Sequence, residues 1–222
     1  MLEAASRAST CGNMQLYSLI VTQSRELREA LAPCHFNQPM VTQAPCVITV
    51  CADVHRFSMW CEQRDAEPCY DHFAWFLNGV TDALLAAQNL CVEAEAHGLG
   101  ICYLGTTIYT AEEIARILDL PKGVIPVTTI VVGHPDESPE LTDRLPLDAV
   151  VHCEKYHHYT SSEIDELWAE KETSEETRRL LEENGLPNLA QIFTRNRYRA
   201  EDNLAISRNY FALLKKQGFF NN

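Results

Sequence analysis

Long basic runs are missing from this sequence: no stretch of basic side chains exceeds two, as at Lys215-Lys216. With 31 acidic against 18 basic residues and a formal charge of -13, the chain repels phosphate backbones, so a nucleic-acid partner is not expected. Metal-ligand spacing is also missing, since no CxxC and no HxxxH pair occurs. The crowd at His152-Cys153-Glu154 with His157 and His158 therefore lacks the arrangement that a tetrahedral site needs, and no metal is expected. A metal-dependent hydrolase is a third reading, which would require stoichiometric zinc. There is no GxSxG turn to present a serine nucleophile and no Rossmann glycine fingerprint. The most apolar long segment, 73–96, is broken by Asn78, Asp82, Gln88, Asn89, Glu93 and Glu95, which a membrane span does not tolerate. The opening MLEAASRAST has neither a basic leader nor an apolar core, so no secretory signal is expected. Nine scattered cysteines in a chain long enough to build its own core read as reduced thiols of a cytoplasmic protein.

What is present reads as one layered domain over 1–222. Three runs dense in β-branched residues, Leu16 to Val21, Cys46 to Cys51 and Val127 to Val132, predict strands. Their nearly continuous apolar character predicts helices on both faces of the sheet. Ser24 is placed to cap a short helix ending at Leu31 before Pro33, and Thr110 with Glu113 has capping-box spacing for a helix to about Leu118. Between Phe73 and His97, apolar residues recur at helical spacing (Phe76, Val80, Leu84, Ala87, Cys91, Ala94), with Gly98 as a left-handed C-terminal cap. This longest helix is apolar around much of its circumference, so it is expected to be central. A charged helical excursion is expected at about 161–188, and a carboxyl-terminal helix and tail at about 202–222.

Four patterns in this order resemble the FMN-dependent nitroreductase family, in its NADPH-dependent nitro- and flavin-reductase branch. They are Ser9-Thr-Cys-Gly-Asn-Met-Gln15 leading into a strand, the 87–105 helix and turn ending Tyr103-Leu104-Gly105, Gly133-His-Pro-Asp-Glu-Ser-Pro139 leading to Arg144-Leu-Pro146, and, more weakly, Lys216-Gln-Gly-Phe219. The resemblance implies an α+β fold, with a central mixed sheet flanked by helices and the long helix at a homodimer interface. It also implies an oxidoreductase in which NADPH or NADH reduces FMN, and FMN then reduces a nitroaromatic, quinone or flavin acceptor by double displacement. Members usually carry an Arg-Arg-Ser segment for the FMN phosphate, and this chain begins beyond where that segment would lie. A flavin-free or flavin-weak dimer with a binding or structural role is therefore the alternative.

Within that resemblance, Ser9, Thr10, Cys11, Asn13 and Gln15 would offer backbone and amide contacts to the flavin, Gln38 would bond the ring, and Tyr103, Leu104 and Gly105 would pass beside its N5 edge. Arg144 would hold the phosphate, because its planar fork suits phosphate oxygens, and should matter more than an exposed charge such as Lys171. The position two residues before it, often a second cation in the family, is Thr142. Each has a plainer reading: a strand-entry turn for 9–15, a solvated loop amide for Gln38, and an ordinary helix-to-loop connection for 103–105. Met59 and Trp60, in a Ser58 to Asp71 loop, would either cover the open flavin face or anchor that loop. No catalytic side chain is expected, since FMN carries the chemistry.

Overall fold

A computed structural model describes residues 1–220. The chain divides into two compact units, one of Met1–Asp136 with the chain from Ala205, the other of Glu137–Leu204.

The first unit contains, in chain order, α1 (Leu2–Ser6), β1 (Tyr17–Thr22), α2 (Arg25–Leu31), α3 (Met40–Gln43), β2 (Cys46–Asp53), α4 (His55–Glu62), α5 (Phe73–Ala96), β3 (Gly100–Leu104), α6 (Ala111–Ile117) and β4 (Val124–Gly133). The strands form one sheet in the order β1-β2-β4-β3. Alternation sorts their side chains. Ile48, Val50, Ile130 and Val132 pack on Ala83, Ala86, Ala87 and Leu90 of α5, while Val47 and Val131 turn the other way to meet Ala32, Val41 and Leu104. Both faces are thus buried, which is why β2 and β4 read as continuous apolar runs. Gly79 permits the closest approach of α5, because a Cβ there would lie 3.1 Å from the Ala52 Cβ and 3.2 Å from the Leu16 carbonyl. In the central strand β4 the register shifts opposite Val50 and Cys51, next to Pro126. This is where a residue without an N–H is tolerated, and the Pro126 carbonyl accepts from the Tyr210 hydroxyl at 3.1 Å.

The α+β class and the long helix are as expected, but three details differ. Every strand pair among the described residues is antiparallel, not mixed. The helical connections from β1 to β2 and from β3 to β4 begin and end at one end of the sheet, so the chain reverses instead of crossing over. Gly100–Leu104, read as a turn, is an edge strand on β4. Thr110 makes no cap bond in α6: its hydroxyl donates to the Cys34 carbonyl at 2.8 Å, while Glu113 pairs with Arg116. Other local signals hold. Ser24 accepts from the Leu27 N–H, and Gly98 closes α5 at φ +73°, with Leu99 N–H on the Ala94 carbonyl. Among the apolar residues of α5, Leu84 is exposed, as are Leu77, Leu85 and Val92.

The second unit holds α7 (Ser161–Thr173), α8 (Glu175–Asn184), α9 (Leu189–Ile192) and the start of α10 (Ala200–Lys216). A capping box opens α7: Thr160 Oγ1 accepts from Glu163 N–H, and Glu163 Oε2 accepts from Thr160 N–H at 2.7 Å. No residue of α7 is buried, as its charged sequence requires. His157 lies 3.0 Å from Glu163, and no group of three or more His, Cys, Asp or Glu among the described residues is placed to share an ion.

Candidate functional site

The chain from Ser9 to Leu16 enters β1 through a tight, polar loop. Gly12, Asn13 and Gln15 all have left-handed backbone, at φ 55°, 56° and 54°, which costs non-glycine residues conformational energy, less for Asn. Two charged side chains hold it. From the middle of α5, Asp82 is 1 % exposed. Its Oδ1 accepts from Cys11 N–H at 2.9 Å and its Oδ2 from Leu16 N–H at 3.0 Å. One carboxylate therefore pins both ends of the loop, and these charge-assisted bonds offset its desolvation. From α4, Arg56 donates to the carbonyls of Gln15 and Tyr17 and to Ser18 Oγ, and pairs with Asp53, whose Oδ2 also accepts from Ser18 Oγ at 2.5 Å. Ser9, Cys11, Asn13 and Gln15 are left exposed and Thr10 half-buried. The Gln15 amide folds back onto the Asn13 carbonyl at 3.2 Å.

Gln38 and the 103–105 segment come together elsewhere in the same unit. After α2 the chain makes a 3-10 turn, Ala32–His35, then two left-handed residues, Phe36 and Asn37, before half-buried Gln38. Leu104 packs with Ala32, which opens that turn, and with Val41 beyond it. Gly105 opens a second 3-10 turn, Gly105–Ile108, and a Cβ on it would meet nothing within 4 Å among the described residues, so its backbone faces open space. Buried His35 has Nδ1 at 2.8 Å from Thr106 Oγ1, and Thr110 donates to Cys34 O, so two side chains join the turns. The Tyr103 ring goes the other way, its hydroxyl 3.5 Å from Gln88 Oε1 of α5.

These two groups lie apart. Tyr17 pairs with Ala52, which pairs with Ile125, while Leu104 pairs with Thr129. Three strand spacings and four residues along β4 separate them, roughly 20 Å. Arg144 belongs to the second unit. Its Nη1 donates to Thr142 Oγ1 at 2.6 Å and to the Asp143 carbonyl at 2.8 Å, and no ion pair is formed by it among the described residues. Asp143 pairs instead with Lys171 at 2.6 Å, so Lys171 is not the unconnected charge that the sequence pointed to. Arg144 lines a cleft of about 900 Å³ with Trp168, Phe193 and Arg197. Met59 and Trp60 sit on α4, not in a loop; Trp60 packs on Phe57, and it is Trp75 that packs on Tyr70 in the following segment.

The electrostatics favour binding over attack. Burial pushes the thiols of Cys34 and Cys91 up, which makes them poor nucleophiles. Burial, and then the Cys91 thiol, also raise the Tyr103 phenol. Burial drives His35 down to about 4, so its imidazole is neutral near pH 7. What the two groups present is amide, hydroxyl and backbone, the donor set that suits a flat heterocycle with a polar edge. Asp82 and Arg56 escaped the reading of the sequence, although a lone carboxylate between Val80 and Ala83 on a buried helix signals a partner elsewhere.

Residues 1–134 match the model of the Nitroreductase family. The FMN reductase (NADPH) of Bacillus subtilis (strain 168) is 32% identical over 159 residues, 71% of this chain and 64% of that protein. An NADPH-dependent oxidoreductase of Staphylococcus aureus (strain USA300) is 35% identical over 161 residues, with the same coverage of 71% and 64%. The match thus spans 64%, less than two thirds, of these curated relatives' length. Among solved structures, a Bacteroides fragilis protein is 49% identical, with a TM-score of 0.97 over 99% of this chain and 89% of that one. The NfrA1 nitroreductase of B. subtilis is 26% identical, with a TM-score of 0.86 over 100% and 89%.

Proposed function

This chain belongs to the nitroreductase family, and from that premise we propose that it is an FMN-dependent oxidoreductase, taking hydride from NAD(P)H and working as a homodimer. The observation that carries this reading is the loop from Ser9 to Gln15. A strand-entry turn has no need of a buried carboxylate on two of its amides and a guanidinium on two carbonyls. Fixing left-handed residues so that two side-chain amides stay exposed is what a ligand wall requires.

The residues fit FMN. Asn13 and Gln15 provide donors and acceptors for a pyrimidine edge, and Gln38 a further amide; at Gly105, on the turn tied to His35 through Thr106, backbone without a Cβ admits a flat ring. Arg144, in the second unit, has no ion pair among the described residues, and its planar guanidinium suits a phosphate; backbone amides would favour a reduced, anionic flavin. Bound FMN would supply the redox chemistry, passing reducing equivalents from NAD(P)H to a nitroaromatic, quinone or flavin acceptor. The names of the two curated relatives support NADPH as donor.

The roughly 20 Å between the two amide-bearing groups supports a pocket completed by a second copy. Exposed Leu77, Leu84, Leu85 and Val92 on α5 give that copy an apolar face. All nine cysteines are free, which supports a reducing compartment such as the cytoplasm.

The test is direct: purify the protein, record the flavin absorbance, titrate FMN and follow NADPH oxidation with an acceptor present. Saturable FMN binding with acceptor-dependent turnover is expected. A dimer that binds no FMN at high micromolar concentrations would refute the enzyme and favour a scaffold role.

A further inference from the structure

We infer that His35 is a positioning residue that sets the spacing between the turn carrying Gln38 and the turn carrying Gly105. The inference rests on the functional reading above, since it assigns His35 a role toward the same ligand wall.

The imidazole is fully buried. One ring nitrogen meets Thr106 Oγ1 at 2.8 Å, and the other, Nε2, has no partner among the described residues. For packing alone, an apolar side chain of similar volume would fill the space without the cost of an unpaired polar atom. What the ring supplies instead is a bond between two segments 71 residues apart in sequence.

Both segments need an external anchor. Phe36 and Asn37 are consecutive left-handed residues, and the His35 carbonyl accepts from Gln38 N–H at 3.1 Å. Moving His35 therefore moves Gln38. On the other side, Thr107 Oγ1 donates to the Leu104 carbonyl at 2.9 Å and lies 3.0 Å from Thr129 Oγ1, from whose hydroxyl it can accept, which ties the Gly105–Ile108 turn to β4. A chain of contacts thus runs from the sheet through Thr107 and Thr106 to His35 and Gln38. Thr110 to Cys34 is a parallel tie farther from Gln38, so loss of the His35 bond loosens the Gln38 end first.

The experiment compares His35→Leu, which fills the volume without the bond, with His35→Asn, whose amide replaces Nδ1. Thr106→Val removes the partner hydroxyl and keeps the comparison available where His35→Leu does not fold. FMN dissociation constants are measured beside amide hydrogen exchange of the flavin-free protein at Gln38 and Tyr109, with Leu27 in α2 as reference. The expected result is about tenfold weaker FMN binding for His35→Leu and for Thr106→Val, the equivalent of one lost hydrogen bond. The double variant should be no worse than either single. His35→Asn should recover most of the affinity, and exchange at Gln38 should rise only in the variants that lack the bond. Equal FMN affinity in wild type, His35→Leu and Thr106→Val, or additive losses in the double variant, would overturn the inference. Failure of the functional reading looks different: the wild-type protein itself would not bind FMN.

Discussion

Replacing Asp82 tests whether the Ser9–Leu16 loop is held from the long helix. In Asp82→Ala, two backbone N–H groups lose a charged acceptor. Cys11 is exposed and Leu16 is fully buried, so water replaces the partner of the first and not of the second. A hydrogen bond to a charged group contributes about 1.5–3 kcal/mol, and an unsatisfied buried donor costs about 1–3 kcal/mol. Recovered desolvation of the carboxylate works against these losses, leaving an expected destabilisation of about 2–4 kcal/mol. Asp82→Asn keeps one acceptor and turns an N–H toward the other donor, so it should fall between Ala and wild type. Arg56→Met is the contrasting change. The Arg56 side chain is 55 % exposed and that of Asp53 8 %, and Asp53 retains Ser18 and the Arg56 amide as donors, so a loss of about 1 kcal/mol or less is expected. Urea unfolding with linear extrapolation measures stability, and an FMN titration on the same samples measures the loop. Both variants should weaken FMN binding, because both free the Gln15 segment. An Asp82→Ala cost no larger than that of Arg56→Met, with FMN affinity unchanged, would refute the assignment of Asp82 as the anchor.

At Gly105, substitution by Ala should leave the urea midpoint within about 0.5 kcal/mol of wild type, since the new Cβ meets no atom, yet lower FMN affinity; Gly79→Ala should instead destabilise by about 1–3 kcal/mol through contact with Ala52 and Leu16. Arg144→Ala should weaken FMN binding well beyond Lys215→Ala, with Lys171→Ala intermediate because Lys171 holds Asp143 beside Arg144; equal losses at all three would show that Arg144 is misassigned. His35 titrates near 4 when folded against an ordinary value of 6.5, so its neutral form favours the folded state. That contribution, up to about 3 kcal/mol, is complete above pH 6.5 and fades as pH falls toward 4. Urea midpoints between pH 7 and 4 should therefore drop less in His35→Leu than in wild type, and parallel curves would count against a buried neutral imidazole.

Much of the fold was legible because its signals are local. The Ser24 cap, the left-handed close at Gly98, the three apolar strands and the 24-residue helix α5 each depend on residues within a turn or two. Thr110 shows the limit of such signals. Its spacing to Glu113 satisfies a capping box, but its hydroxyl is taken by Cys34, 76 residues away. β3 was hidden for a similar reason, since Gly100–Leu104 becomes a strand by pairing with β4, and alone it reads as a turn after a helix.

For the site, the sequence alone supplied side-chain chemistry and order along the chain: amides before β1, Gln38 after α2, a glycine after β3 and an arginine in a proline-bounded loop. Tertiary structure decided which of them meet. It joined Gln38 to Gly105 through His35 and Thr106, set the Ser9–Gln15 loop at the opposite edge of the sheet, and gave that loop its shape through Asp82 and Arg56. Hydrogen bonds that link residues 66 and 71 positions apart leave no periodicity in the sequence, because they depend on where the sheet register and the packing of α5 bring backbone and carboxylate together.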